Sequence, residues 1–281
     1  MLFSQDAVDL ADELYEAERY REGYEQLKTA VESARSDSER AELYWRLARV
    51  TLEVGDIEER EGIRTADLLA RFLEGESYAD ESIALKPDNH EAYYWKSANI
   101  GRWGETKGIL NSLFKAKPMR DLLRIALGYY PGHASSFYVL GIMYERVPGR
   151  PISFGNANYS VSLARKSIDA NYDEIDAGLE DEVKLDHYIE LARHLRVRNW
   201  GAGKRQREQA KKAQQYRSKT DVLEKNFFYE GTVDIPNMSD REEAVEVMTW
   251  VIAEYEDRDH LSSSDEQDLE EARVDLEKWT K

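Results

Sequence analysis
One recurring spacing constrains the fold of this chain more than any other feature. At Phe137-x2-Leu140-Gly141-x2-Tyr144 a large residue, a leucine, a small residue and an aromatic share one helical face, and Ser160, Leu163, Ala164 and Ser167 follow at helical spacing. Ala7-x2-Leu10-Ala11-x2-Leu14 runs in the same way into Tyr20, Gly23, Leu27 and Ala30. Tyr44-x2-Leu47-Ala48 leads to Gly75, Ala79 and Ser82 before Pro87. Tyr93, Ser97 and Ile100 lead to Leu123 and Ala126 before Pro131, with Lys96 where the pattern wants leucine. Small residues let two helix backbones approach, and the large ones fill the space beside them. A single pair cannot bury its apolar face alone, so such pairs stack.

This pattern resembles the tetratricopeptide repeat, and the expected fold is all-α: a tetratricopeptide-repeat-like helical solenoid. The rest of the chain agrees. It has six prolines, and stripes such as Leu122, Leu123, Ala126, Leu127 and Val245, Met248, Val251, Ile252 carry the helical period. Ser239 with Glu242 reads as a capping box, as does Ser264 with Gln267. A fifth pair is expected over 188–216, with Ala192 in the small slot. The expected division is a repeat domain over 1–220 and a helical cap over 221–281, packed on the last repeat.

Measured against a repeat of about 34 residues, the second, third and fourth pairs are too long, and the excess falls inside each pair. The connections 54–67, 104–117 and 147–156 are therefore expected as long loops at one edge, where insertions often carry binding. First-helix positions place Tyr94 and Tyr138 at equivalent points of an inner face, and likewise Arg102 and Arg146. Trp45, Arg49, Arg193 and Arg196 are further inner-face positions. With Asn99, Trp103, Lys107 and Phe154 added, the ligand-binding set is Tyr94, Asn99, Arg102, Trp103, Lys107, Tyr138, Arg146 and Phe154. An arginine fork pairs with a carboxylate at two points, so the face suits an acidic group. The competing reading has these arginines bridging adjacent repeats to acids such as Glu91 and Glu145. Gly101 and Gly104 around Trp103 suit close approach or a helix end, and Ile109, Leu110, Leu113 and Phe114 suit a short roof helix. Phe154 reads as a hydrophobic plug.

Charge narrows the partners. The chain has 56 acids, 39 bases and a formal net charge of −17, which disfavours phosphate polyanions, so no nucleic-acid partner is expected. The charge is uneven: residues 184–219 hold 11 bases and 3 acids, between acidic ends. That stretch reads as a helix pairing with its neighbours. With no cysteine, thiolate metal sites and cysteine nucleophiles are excluded. His90-Glu91 lacks the second histidine of a zinc-protease motif, because Tyr94 stands there. His187 and His194 lack a third ligand. Gly201-Ala202-Gly203-Lys204 fails as a phosphate loop at Arg198 and Arg205. No enzyme, cofactor or metal is expected. Met1-Leu2-Phe3-Ser4 turns acidic at once, unlike a secretory leader.

The string from Tyr93-Tyr94-Trp95 through Gly101-Arg102-Trp103-Gly104-Glu105-Thr106-Lys107-Gly108 to Lys117-Pro118-Met119 resembles the T-component of TRAP transporters, as does Pro148-Gly149-Arg150-Pro151-Ile152-Ser153-Phe154-Gly155. That resemblance spans roughly 43–170. It implies a periplasmic protein, lipid-anchored at its N-terminus in the full-length form and touching the membrane only through that anchor. It further implies a homotrimer, a TRAP substrate-binding protein as partner, and a small organic-acid or hydrophobic ligand. A second resemblance is to the regulator of microtubule dynamics proteins, which share the helical repeat. It implies a cytosolic adaptor that binds an acidic peptide tail.

Overall fold
The apolar stripes form helices throughout. The computed structural model describes residues 4–281, with nothing described for the side chains of 4–6 and 109–111. The opening Met1, Leu2 and Phe3, and the side chains of Ile109 and Leu110 in the expected roof helix, thus lie outside the described residues. The helices are α1 (Ser4–Glu16), α2 (Tyr20–Ser33), α3 (Asp37–Arg60), α4 (Thr65–Leu85), α5 (His90–Lys107), α6 (Ile109–Tyr129), α7 (Ala134–Arg146), α8 (Ala157–Asp176), α9 (Leu185–Arg198), α10 (Ala202–Ser218), α11 (Val222–Asn226), α12 (Asp240–Glu256) and α13 (Ser263–Thr280), with one 3-10 turn at Tyr229–Gly231. The chain is all-α, of helical-repeat architecture. Among the described residues no helix is long and apolar enough to cross a membrane. The helices fall into two compact units, Met1–Tyr130 and Pro131–Lys281.

In the first unit α1 pairs with α2, α3 with α4, and α5 with α6, and α3 also packs on α5. Ala11, Tyr24, Leu27, Leu43, Leu47 and Val50 build one core. The small positions work as expected. A Cβ at Gly55 would lie 2.5 Å from the Phe72 ring, so only glycine admits that aromatic to the helix backbone. Two of the expected long loops prove to be helix. α3 runs on to Arg60, leaving only residues 61–64 to turn, with Gly62 at φ 77°. α5 runs on to Lys107, and the single residue Gly108, at φ 94°, separates it from α6. The excess length is absorbed as extra helical turns, which keep every backbone group paired. Gly101 and Gly104 therefore lie inside α5. At Gly104 a Cβ would come 3.1 Å from Ser112 Oγ, which donates to the Gly104 carbonyl at 3.0 Å. Close approach is thus their role, and the helix end belongs to Gly108.

In the second unit α7 pairs with α8, and α8 packs on α9. Only here is an inserted connection irregular. Residues 147–156 form a loop closed by Gly155 N donating to the Pro148 carbonyl at 3.0 Å. The fifth pair differs from expectation. α9 packs against α12, and α13 packs on α12, around Ile189, Leu195, Ala244, Met248, Val251 and Leu269. α10 packs instead on α11 and the turn at Tyr229–Gly231. Its mean hydropathy is low and only Arg205 and Lys212 are buried on it, so it has no apolar stripe to offer α9. The Ser239–Glu242 capping box is present; the second box is Ser262 with Asp265, two residues before the expected serine.

Candidate functional site
The first-helix face of the first unit is a ladder of ion pairs. On α3, Arg46 Nε donates to both Asp12 oxygens at 3.0 Å, and Arg49 Nη2 donates to Asp12 Oδ1 at 2.6 Å. Arg49 also lies 3.9 Å over the Tyr15 ring, and Arg46 lies 4.2 Å over Trp45. On α5, Arg102 donates to Asp56 at 2.7 Å, Glu59 at 2.5 Å and Glu105 at 2.6 Å. Arg49 and Arg102 thus tie α1 to α3 and α3 to α5. The bridging role, one of the two readings open from the sequence, is the one these distances describe in the first unit.

The acids on this face carry a burden. Burial pushes the Glu53 carboxyl up to about 7, against the Tyr15 hydroxyl that donates to it at 2.8 Å. Burial also raises Asp56, although Arg102 opposes the shift. An incoming carboxylate would have to displace Asp56, Glu59 and Glu105 to reach Arg102.

The other residues of the sequence-derived set separate into two groups. Asn99 is fully buried; its Nδ2 donates to the carbonyls of Ala48 at 3.0 Å and Trp95 at 2.9 Å, so it fastens α5 to α3. Trp103 packs on the core of Leu52, Leu68 and Phe72, with Lys115 4.5 Å over its ring. Tyr94 meets Trp95 edge-on at 4.9 Å, and Lys107 is exposed on the last turn of α5. These four share α5 with Arg102. In the second unit Tyr138 stacks on His187 at 4.6 Å. Phe154 meets Tyr144 edge-on at 5.0 Å, and Arg146 is exposed at the end of α7, where its charge acts on Glu271.

Sequence reasoning missed a dense buried charge cluster among the described residues. Arg165, Arg198, Arg205 and Lys212 converge on Glu230, Asp240 and Glu243, all at most 11% exposed at the side chain. Arg198 donates to Glu230 at 2.5 and 3.0 Å and to Asp240 at 2.8 and 2.7 Å. Lys212 reaches Glu230 at 2.5 Å. Arg165 holds Glu243 at 2.8 Å, and Arg205 bonds the same carboxylate. This is where the basic stretch meets the acidic end. Burial alone would raise the Glu230 carboxyl, but Arg198, Lys212 and Arg165 hold it well below the usual range. Four cations face three carboxylates, and burial brings the Lys212 ammonium down to about 8 despite Glu230.

That shift has a measurable sign. Between pH 8 and the ordinary lysine value near 10.5, the unfolded chain holds a proton that folded Lys212 has released, so stability rises with pH across that window. Glu53 and Asp268, both pushed up to about 7 by burial, act in the opposite direction, so urea unfolding at pH 7 and pH 9 should show the Lys212 contribution as a gain of about 1–2 kcal/mol in the parent relative to Lys212→Met. Lys212→Met should flatten the slope; an unchanged slope in that variant contradicts the assignment.

The inserted connections carry a different feature. Each exposes a large apolar side chain: Ile63 in the α3–α4 turn is 41% exposed, Phe114 near the start of α6 is 69%, and Ile152 in the 147–156 loop is 71%. In the first unit α3 and α5 run parallel, since Ala48 meets Asn99 and Asp56 meets Arg102. The α3–α4 turn with Ile63 and the Gly108 junction that precedes the Phe114 helix accordingly emerge at the same edge.

Comparison with known proteins places this geometry. The family model described as regulator of microtubule dynamics protein 1-3 matches residues 7–145. Regulator of microtubule dynamics protein 1 from Bos taurus is 28% identical over 149 residues, covering 52% of this chain and 44% of that protein. The chain thus spans less than half the length of that relative. A thermophilic tetratricopeptide-repeat protein from Thermus thermophilus superposes with a TM-score of 0.51 at 14% identity, over 82% of this chain and all of that one, a likeness of fold.

These matches overturn the transporter resemblance. The stretch from Tyr93 to Met119 that carried it lies within the matched 7–145. Its Gly101 and Gly104 are helix-contact glycines and its Trp103 packs on a core, features that helical repeats share for packing reasons. The periplasmic location and lipid anchor, which rested on that resemblance alone, fall with it. The TRAP substrate-binding protein as partner, the trimer and the conducted ligand lose their basis as well.

Proposed function
We propose that this chain is a non-catalytic helical-repeat adaptor that holds a segment of a partner protein, as the similarity to a regulator of microtubule dynamics protein suggests. The carrying observation is the exposed apolar residue on each inserted connection, Ile63, Phe114 and Ile152. Isolated apolar residues on a surface are ordinary, but residues held out on the extensions of successive repeats are placed where such folds bind. The inner-face arginines of the first unit support this division of labour, because they secure the repeats. An acidic tail remains the proposed partner chemistry. The triple variant Ile63→Ser, Phe114→Ser, Ile152→Ser should keep the helical circular dichroism and melting temperature of the parent. It should also lose the partner proteins that the parent retains after chemical cross-linking in cells. Retention of the same partners contradicts the reading.

A further inference from the structure
The geometry points to a docking surface for an arginine-bearing segment of a partner protein on the aromatic row Tyr172, Tyr188 and Trp250. The surface involves none of the inserted connections and does not rest on them. The acidic tail proposed above would be repelled here, so this row takes a segment of opposite charge.

Three helices build the row. Tyr172 on α8 and Tyr188 on α9 hold their hydroxyls 3.1 Å apart. The Tyr188 ring meets the Trp250 ring of α12 with centroids at 4.7 Å and 58° between planes. Tyr188 is partly buried and packs on the core shared by α9 and α12, which fixes the row in place. Its two ends face solvent, with Tyr172 42% exposed and Trp250 38%. A single exposed aromatic is ordinary, but a continuous row held across three helices is the kind of surface that interfaces use.

The charge around the row sets the occupant. Between Arg241 and Arg258 α12 carries no base, and α8 carries none after Lys166. Glu246 and Glu254 are exposed one helical turn to either side of Trp250, and Asp169 stands three residues before Tyr172. Among the described residues no cation lies within ion-pair distance of these three carboxylates. Asp169 accepts the Tyr229 hydroxyl at 2.7 Å. The lysines nearest in sequence are already taken, Lys166 by Asp173 at 3.4 Å and Lys184 by Glu180 at 2.6 Å. Negative charge also reaches the row itself: burial chiefly raises the Tyr188 hydroxyl, and Tyr172, Asp169 and Glu254 raise it further.

Spacing then favours an extended segment. Glu246 and Glu254 lie on one face of α12, about 12 Å apart along its axis. An extended chain covers about 13 Å in four residues, with alternate side chains on one face. Three arginines at alternate positions would meet Glu246, the Trp250 ring and Glu254 in turn. Tryptophan is the best aromatic partner for a cation, and a guanidinium stacks flat on it. Tyr188 lies too close for a cation to enter between the two rings, so the guanidinium sits on the outer face of Trp250. The net charge of −17 attracts such a segment at long range.

The test is fluorescence anisotropy at low salt with the labelled peptide Arg-Ser-Arg-Ser-Arg and its counterpart Gln-Ser-Gln-Ser-Gln. The expected result is saturable binding of the arginine peptide alone. Trp250→Leu keeps apolar bulk but loses the ring, and should weaken binding about three- to fivefold. Glu246→Gln with Glu254→Gln should weaken it at least as much. Glu25→Gln with Glu32→Gln, two exposed glutamates of α2, removes the same charge elsewhere and should bind as the parent does. Glu246 and Glu254 are exposed, so their variant decides the test even if Trp250→Leu disturbs the Tyr188 contact. Equal binding by the glutamine peptide, no weakening in Trp250→Leu or in the Glu246, Glu254 variant, or equal weakening in the α2 variant would each overturn the surface. The triple variant at Ile63, Phe114 and Ile152 should bind the peptide as the parent does, so failure of the adaptor reading and failure of this surface are read separately.

Discussion
Replacing Glu230 by alanine is expected to unfold the Pro131–Lys281 unit or bring it to the edge of unfolding. Glu230 accepts from Arg165 at 3.2 Å, Arg198 at 2.5 and 3.0 Å, and Lys212 at 2.5 Å, with 4% of its side chain exposed. Without it, Asp240 and Glu243 alone face four buried cations. Breaking one buried pair by removing a partner costs about 3–5 kcal/mol, comparable to the whole stability of a small domain. Glu230→Gln keeps the volume but not the charge and is expected to fall between the two. Urea denaturation followed by circular dichroism measures both. A loss below about 1 kcal/mol in Glu230→Ala would mean that the network is solvated.

The second large effect is expected at Gly75. A Cβ there would lie 2.0 Å from Asn99 Oδ1, in a fully buried contact between α4 and α5. Gly75→Ala must therefore push Asn99 out of its bonds to the Ala48 and Trp95 carbonyls. Overpacking of this kind costs about 1–3 kcal/mol, and the lost buried hydrogen bonds add about 1–3 kcal/mol. The informative variant is the double one. Asn99→Ala vacates the space that the new methyl needs, so Gly75→Ala with Asn99→Ala should be more stable than Gly75→Ala alone. That reversal is a coupling of about 1–3 kcal/mol in a double-mutant cycle. Additive losses contradict the contact.

These two sites also mark what sequence reasoning reaches. Gly75 lies in the repeat pattern, so the small slot is readable, although Asn99, the partner filling it, reads from sequence as a ligand-binding residue. The helices are legible because their apolar residues keep one period, and the Ser239–Glu242 cap is legible because its chemistry is local. The second cap is misplaced because Ser262 with Asp265 satisfies the same rule as Ser264 with Gln267, and sequence offers no way to choose. The 54–67 and 104–117 connections look like loops from repeat length alone, which does not distinguish extra turns from extra loop. The partnership of α9 with α12 skips α10 and α11 and leaves no local spacing. The buried network draws on residues from 165 to 243, and only the opposite charge of 184–219 and 230–281 hints at it. Arg102 is ambiguous for a related reason: whether an arginine faces a ligand or a neighbouring repeat is decided by residues about 45 positions away, here Asp56 and Glu59.

The division between scaffold and contact surface has consequences for variants. Substitutions at Arg49 and Arg102 should act through repeat packing, since both are committed to Asp12, Asp56 and their neighbours. Substitutions at Ile63, Phe114 and Ile152 touch exposed groups and should leave stability within about 0.5 kcal/mol. Binding changes confined to the second class are what a helical-repeat adaptor requires.

The most direct measurement places a photo-cross-linking amino acid at Ile63, Phe114 or Ile152, one position at a time, and at Leu73 and Val274, which are exposed on helices away from the inserted connections. Irradiation in cells that naturally make the protein should yield adducts of protein size at the first three positions and none at the other two. Equal labelling at all five positions, or none at the first three, would contradict the claim that the inserted connections hold a partner.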